Sequence, residues 1–133
     1  MTSPELHRCT PIIPVSNVAS GVRFFRDYLG FDAPYLNDAE AAGEYAYLRR
    51  GNALIRLVQA GPDMDMKNDP KRQMSCYIDV TGIDALFAAH KDKLNTLPSG
   101  HLRAPFDQPY GQREFHVIYE ALLIFFGEPI SRA

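Results

Sequence analysis

A chain of 133 residues, 46% hydrophobic and 23% charged, can build the core of one domain or of two small halves sharing a core. Its net charge of −2, with Arg49-Arg50 and Lys71-Arg72 as the only basic pairs noted, excludes a nucleic-acid footprint. No apolar stretch approaches the ~20 residues that span a bilayer, so no membrane partner is expected. Met1 to Arg8 lacks the apolar segment of a secretory signal, and two cysteines, Cys9 and Cys76, make no disulfide framework. Free thiols in the cytoplasm are expected.

In chain order, Cys9 to Val15 reads as a short strand. Its two prolines, Pro11 and Pro14, remove ladder donors and place it at an edge. Ser16-Asn17 offers cap oxygens for a helix with Val18, Val22, Phe25 and Leu29 on one face, ended by Gly30. Phe31 to Leu36 follows as a strand, with Pro34 again arguing for an edge, and Asn37 to Gly43 as a polar loop. Glu44 to Leu48 and Ala53 to Val58 form a hairpin around Arg49-Arg50-Gly51-Asn52. A turn centred on Arg50-Gly51 sets Tyr47 opposite Leu54 and Tyr45 opposite Arg56.

Gln59 to Arg72, with Gly61-Pro62 and Asp69-Pro70, is polar enough to link two halves. The pattern then restarts. Cys76 to Val80 is a strand, Thr81-Gly82 a cap, and Ile83, Phe87, His90 and Leu94 a helical stripe stopped by Asn95, Pro98 and Gly100. Pro105 to Gly111 reads as loop and turn. Arg113 to Tyr119 and Leu122 to Phe126 read as strands joined near Glu120-Ala121.

The restart is a repeat. Ile13 and Ile78, Val15 and Val80, Val18 and Ile83, Val22 and Phe87, and Leu29 and Leu94 are each separated by 65 positions. Glu44 and Glu114, and Tyr45 and Phe115, are separated by 70. Each half is strand–helix–strand–strand–strand, an α+β fold of two βαβββ modules. The expected domain is residues 1–133, with modules 8–60 and 72–128 joined by linker 61–71.

A duplicated βαβββ unit resembles the vicinal oxygen chelate superfamily of glyoxalase I, extradiol dioxygenases, and fosfomycin- and bleomycin-resistance proteins. Pro11 to Val18, followed by Val22-Arg23-Phe24-Phe25-Arg26-Asp27-Tyr28-Leu29-Gly30-Phe31, resembles its opening strand and helix. Tyr110 to Val117 resembles the bleomycin-resistance subgroup, although the Asp-Pro-Asp-Gly-Asn turn usual there is replaced by Ile118 to Leu122. The resemblance implies strands curling around a cleft, and dimers whose clefts combine halves of both chains, with the proline-bearing first strand pairing across the interface or swapping.

The metalloenzymes of the superfamily hold a divalent ion through His or carboxylate donors on the first and fourth strand of each half. Those donors must converge at about 2.0–2.3 Å. The matching positions here are Thr10, Arg56, Ser75 and Phe125, none of them a fitting donor. No metal and no cofactor are therefore expected. His7, His90, His101 and His116 share no ligand spacing, no Gly-x-Ser-x-Gly elbow or phosphate-binding glycine loop occurs, and neither cysteine lies in an activating motif. Both thiols are expected to face the helices.

Alternation along the strands places Tyr45, Tyr47, Leu54 and Arg56 on one cleft face. Phe125 and His116 join from the second half, with Phe106 and Tyr110 from the preceding loop. This set of eight is the expected ligand site. An aromatic wall with one cation suits a flat organic molecule bearing an anionic or carbonyl group. Arg56 is its expected anion anchor, against a competing reading in which it pairs internally with Glu44 or Glu114. The functional expectation is a metal-free, dimeric protein that sequesters a small organic ligand, an antibiotic among the candidates. The alternative is a glyoxalase-like lyase or isomerase, or a dioxygenase-related enzyme, with a non-standard site.

Overall fold

The computed structural model describes residues 3–36, 45–64, 66 and 74–130. The first helix, α1 (Val18–Leu29), begins where Asn17 accepts a hydrogen bond from the Ser20 amide at 2.8 Å, and ends at Gly30 in the left-handed region at φ 72°. Before it runs β1 (Ile12–Val15); after it come β2 (Asp32–Leu36), β3 (Tyr45–Arg50) and β4 (Ala53–Gln59). The second half repeats the order as β5 (Met74–Asp79), α2 (Ile83–Leu94), β6 (Leu102–Asp107), β7 (Gln112–Tyr119) and β8 (Leu122–Pro129).

Each half folds its strands into one mixed sheet, β1-β4-β3-β2 and β5-β8-β7-β6, and neither sheet closes on itself. β1 pairs parallel with β4 and β5 with β8, while the remaining pairs are antiparallel. β1 and β2, expected at edges because of Pro14 and Pro34, are the two edge strands of the first sheet. β2 and β6 each break register once, between Asp32 and Tyr35 and between Arg103 and Phe106, and each irregularity spans a proline, Pro34 or Pro105. A residue without an N–H is tolerated at such a break on an edge strand, which is why Pro105-Phe106-Asp107, expected as loop, belongs to β6.

The helix-facing sides carry the core: Ile13, Val15, Leu48 and Leu57 under α1, and Phe115, Val117, Ile124 and Phe126 under α2, in one continuous cluster. Both helices are 12 residues long and start 65 positions apart, and Ile13 and Ile78 both lie on the helix side of the parallel first strands. In the hairpins, however, Tyr47 pairs with Arg56 as His116 pairs with Phe125, so the separation there is 69 rather than 70. Matching Tyr45 with Phe115 sets a residue facing away from α1 against a core residue; its true counterpart is Glu114. The first hairpin turns at Gly51-Asn52 rather than Arg50-Gly51, with Gly51 at φ 57°, so Leu54 opposes Arg49 and Tyr45 opposes Val58. The second turns at Glu120-Ala121 as expected, with Glu120 left-handed at φ 52°.

Contacts between the halves run through the helices and the β7–β8 turn. Phe24 of α1 packs on Tyr119 with ring centroids 4.5 Å apart, and the Glu120 carboxylate accepts from both the amide and the hydroxyl of Ser16. Arg50 donates to the Leu29 carbonyl at 2.7 Å and lies 2.7 Å from Nε2 of His90, so the partly buried His90 of the expected stripe has a partner. The cap of α2 comes not from Thr81 but from β8, where Glu128 accepts from the amides of Gly82 and Ile83 at 2.9 and 2.8 Å. Cys76 packs against the core, where burial raises its thiol pKa to about 11, but Cys9 is exposed instead of facing a helix. The expected loop at Asn37 to Gly43 and most of the expected linker 61–71 lie outside the described residues. No helix among the described residues is long and apolar enough to cross a membrane.

Candidate functional site

On each sheet the side chains pointing away from the helix form a second face. On β5-β8-β7-β6 that face carries one ring from every strand. Phe106 of β6 meets His116 of β7 edge-on at 5.1 Å, and His116 meets Phe125 of β8 at 4.4 Å. Phe125 in turn stacks on Tyr77 of β5 at 5.7 Å with an 18° interplanar angle. The four rings make a strip across the whole sheet. Register dictates it: His116 is the cross-strand partner of Phe125, and Phe125 of Tyr77, so alternation stacks the three in one row. Arg103 covers the outer face of Phe106, its guanidinium carbon 3.5 Å from the ring centroid.

Beside the strip lies Glu114, the one buried charged side chain among the described residues. Gln108 donates its amide to Oε1 at 3.0 Å, Tyr110 its hydroxyl to Oε2 at 2.6 Å, and Nε2 of His116 lies 2.8 Å from Oε1. Burial alone would raise the Glu114 pKa, but hydrogen bonds from Tyr110, His116 and Gln108, with the Tyr77 hydroxyl close by, outweigh it and hold the carboxyl at about 2. The charge acts back on its donors. Burial and the Glu114 carboxylate both push the Tyr77 hydroxyl upward, and the hydrogen bond to Glu114 raises Tyr110. Tyr77 also donates to Gln112 Oε1 at 3.2 Å. Its hydroxyl can lie there only because residue 127 is glycine: a Cβ at Gly127 would stand 1.9 Å from the Tyr77 oxygen and 3.0 Å from Cγ of Glu114.

The other sheet presents a smaller aromatic face. Tyr45, Tyr47 and Arg56 share it as expected, with the Arg56 guanidinium 5.2 Å from the Tyr47 ring centroid, a cation–π contact. Arg56 Nε is buried and has no hydrogen-bond partner among the described residues. Glu114 lies on the other sheet and is held by other donors, so the competing Arg56–Glu114 pair is not formed; Glu44 lies outside the described residues. Ile12, the β1 partner of Arg56, is 59% exposed on the same edge.

The eight expected site residues thus divide. Phe106, Tyr110, His116 and Phe125 come together around Glu114, whereas Tyr45, Tyr47, Leu54 and Arg56 share a separate face on the other sheet, with Leu54 buried and opposite Arg49. Two concavities formed by the described residues are lined by none of these residues except Leu54. The larger, about 880 Å³, runs between the start of β4 and the helix side of β5, where Cys9, Leu54, Cys76, Ile78 and Leu86 meet. The expected cleft is therefore two open faces in this chain. Sequence reasoning missed Glu114, Tyr77, Gln108 and Gln112 as site residues. The available signal was a Glu and a His alternating with Phe115 and Val117 on one strand, two polar side chains turned to the same side.

No protein-family model and no curated protein matches this chain. Solved structures do. A bleomycin resistance determinant encoded on the transposon Tn5 superposes with a TM-score of 0.74 at 20% identity, over 93% of this chain and 98% of that one. The bleomycin-binding protein of Streptomyces verticillus, solved with copper(II)-bleomycin, gives 0.71 at 23% identity over 98% and 100%. A glyoxalase-related enzyme from Clostridium phytofermentans gives 0.70 at 18% over 98% and 100%. This chain has the bleomycin-resistance/glyoxalase fold.

The donor set that the metalloenzymes of this fold use is not reproduced. The structure aligns Arg56 with Ile12 and Phe125 with Tyr77, so whether the first-strand position is taken as Thr10 or Ile12, and Ser75 or Tyr77, no carboxylate or imidazole converges. A guanidinium at the fourth-strand position of the first sheet repels a divalent ion. Among the described residues no group of three or more His, Cys, Asp or Glu could hold one. These residues do not fit the metal of the fold's enzymes.

Proposed function

We propose that this chain sequesters a flat organic ligand, of the antibiotic class, on its aromatic faces without a resident metal. The four-ring strip carries the reading. It is a stacking platform spanning a whole sheet, with Tyr77 41% exposed along it and Tyr110 60% exposed beside it. Arg56 on the other face is the anion anchor, its cation already desolvated at Nε. Similarity to proteins solved with bleomycin supports binding as the mode of action.

Modules 8–60 and 72–128, joined by 61–71, act as one domain, and the working unit is a homodimer. Within one chain the halves meet through helices, so a second copy is what brings a β1–β4 face over a β5–β8 face. The exposed Ile12 on edge strand β1 fits that junction, by pairing or by strand exchange. Free thiols at Cys9 and Cys76 suit the cytoplasm. The second reading, a glyoxalase-like lyase, draws on the Glu114–His116 pair, which has the geometry of a proton-transfer dyad.

The test is a fluorescence titration with 8-anilino-1-naphthalenesulfonate, which is flat and anionic. Saturable binding is expected, weakened about 10- to 150-fold in Arg56→Ala, the range of a hydrogen bond to a charged group, and weakened also in Phe125→Ala. Affinity unchanged in both variants would refute the proposal.

A further inference from the structure

The strip's own polar groups narrow the ligand further. Tyr110 and Tyr77 spend their single hydroxyl protons on Glu114 and Gln112, and Gln108 spends one of its amide protons on Glu114, so no hydroxyl donor is left around the rings. An ionised carboxylate only accepts, and therefore the short contact between Glu114 and Nε2 of His116 places the imidazole proton on Nε2. In the neutral ring Nδ1 is then a bare acceptor. His116 makes no second hydrogen bond among the described residues. Nor is Nδ1 a sealed orphan, because the one buried side-chain nitrogen without a partner among those residues is Arg56 Nε. His116 keeps 12% of its side chain exposed between the rings of Phe106 and Phe125.

We propose that Glu114 is a positioning residue that fixes His116 as a hydrogen-bond acceptor within the strip, so that the strip selects flat heteroaromatic molecules carrying an N–H or O–H at their edge. This rests on the strip being a binding face. Stacking alone accepts any planar ring. One acceptor in the middle of the row, with both tyrosine protons spent and the guanidinium of Arg103, the cross-strand partner of His116, laid on the Phe106 ring, discriminates by the ligand's edge.

Indole and 1-methylindole test it, since they share a shape and differ in the N–H. The chain has no tryptophan, so indole fluorescence is read directly. In the wild type both probes bind, and nitrogen-15 spectra show His116 with a protonated Nε2 and a pyridine-like Nδ1 that shifts with indole but not with 1-methylindole. The ratio of indole to 1-methylindole affinity falls about three- to tenfold in His116→Phe, which keeps the ring, and in Glu114→Gln, as expected for one neutral hydrogen bond. Probes that both bind but keep their ratio in these variants would overturn the selection while leaving the binding face standing. Failure of both probes to bind would overturn both readings. A wild-type His116 protonated on Nδ1 would overturn the proposal without any variant.

Discussion

Lowering the pH should dismantle the Glu114 cluster in a window that the structure sets. The native carboxyl titrates at about 2, against an ordinary value of 4.5. A group whose folded pKa is depressed contributes stability in full above its unfolded pKa, and loses it as pH falls through the folded one. Converted at 1.36 kcal/mol per pH unit, the difference corresponds to about 3 kcal/mol for this fully buried side chain. Other carboxylates titrate in the same range, Glu128 among them, held low by the amides of Ile83 and Gly82. Urea unfolding of wild type and Glu114→Gln side by side removes that background. The wild type should be more stable by about 3 kcal/mol at pH 6, and the gap should close between pH 4.5 and 2 as the native carboxyl takes up its proton. A gap constant over that range would show that the ionised carboxylate is not what holds Gln108, Tyr110 and His116 together.

Gly127→Ala should lower stability by only about 1–2 kcal/mol, because the clashing group is the half-exposed end of Tyr77, which can swing aside, but it should unstack Tyr77 from Phe125 in a crystal structure. Ser16→Ala should cost about 1–2 kcal/mol in urea unfolding by removing a hydroxyl donor to the Glu120 carboxylate; an unchanged midpoint would deny that contact a role in joining the halves. Asn17→Ala should cost about 1 kcal/mol through loss of the α1 cap, read the same way.

What was legible in the sequence was whatever is decided locally. The α1 cap at Asn17, the stop at Gly30 and the 65-residue repeat between helices depend on residues a few positions apart, and they were found there. The first hairpin shows why the site was half-legible. Moving its turn by one residue, to Gly51-Asn52, shifts every cross-strand partner by two positions, which changes the pairs but keeps each side chain on its face. Hence Tyr45, Tyr47 and Arg56 were placed on the right side with the wrong neighbours. Glu114 was out of reach for another reason. Its partners arrive from the β6–β7 connection, from its own strand and from β5, and no periodicity announces a buried carboxylate assembled across three elements. The cap of α2 by Glu128 is hidden in the same way, since its donors and acceptor are 45 and 46 residues apart.

The claim that ligand binds on the strip, rather than in the groove between the halves, can be read ring by ring. The chain has eight phenylalanines, and they divide cleanly: Phe106 and Phe125 lie on the strip, whereas Phe24, Phe25, Phe31, Phe87, Phe115 and Phe126 belong to the core or its margin. Aromatic carbon-13 spectra of phenylalanine-labelled protein, titrated with 8-anilino-1-naphthalenesulfonate, should show Phe106 and Phe125 shifting together while the other six stay. Shifts confined to Phe31 and Phe126, which line the groove, would contradict the account.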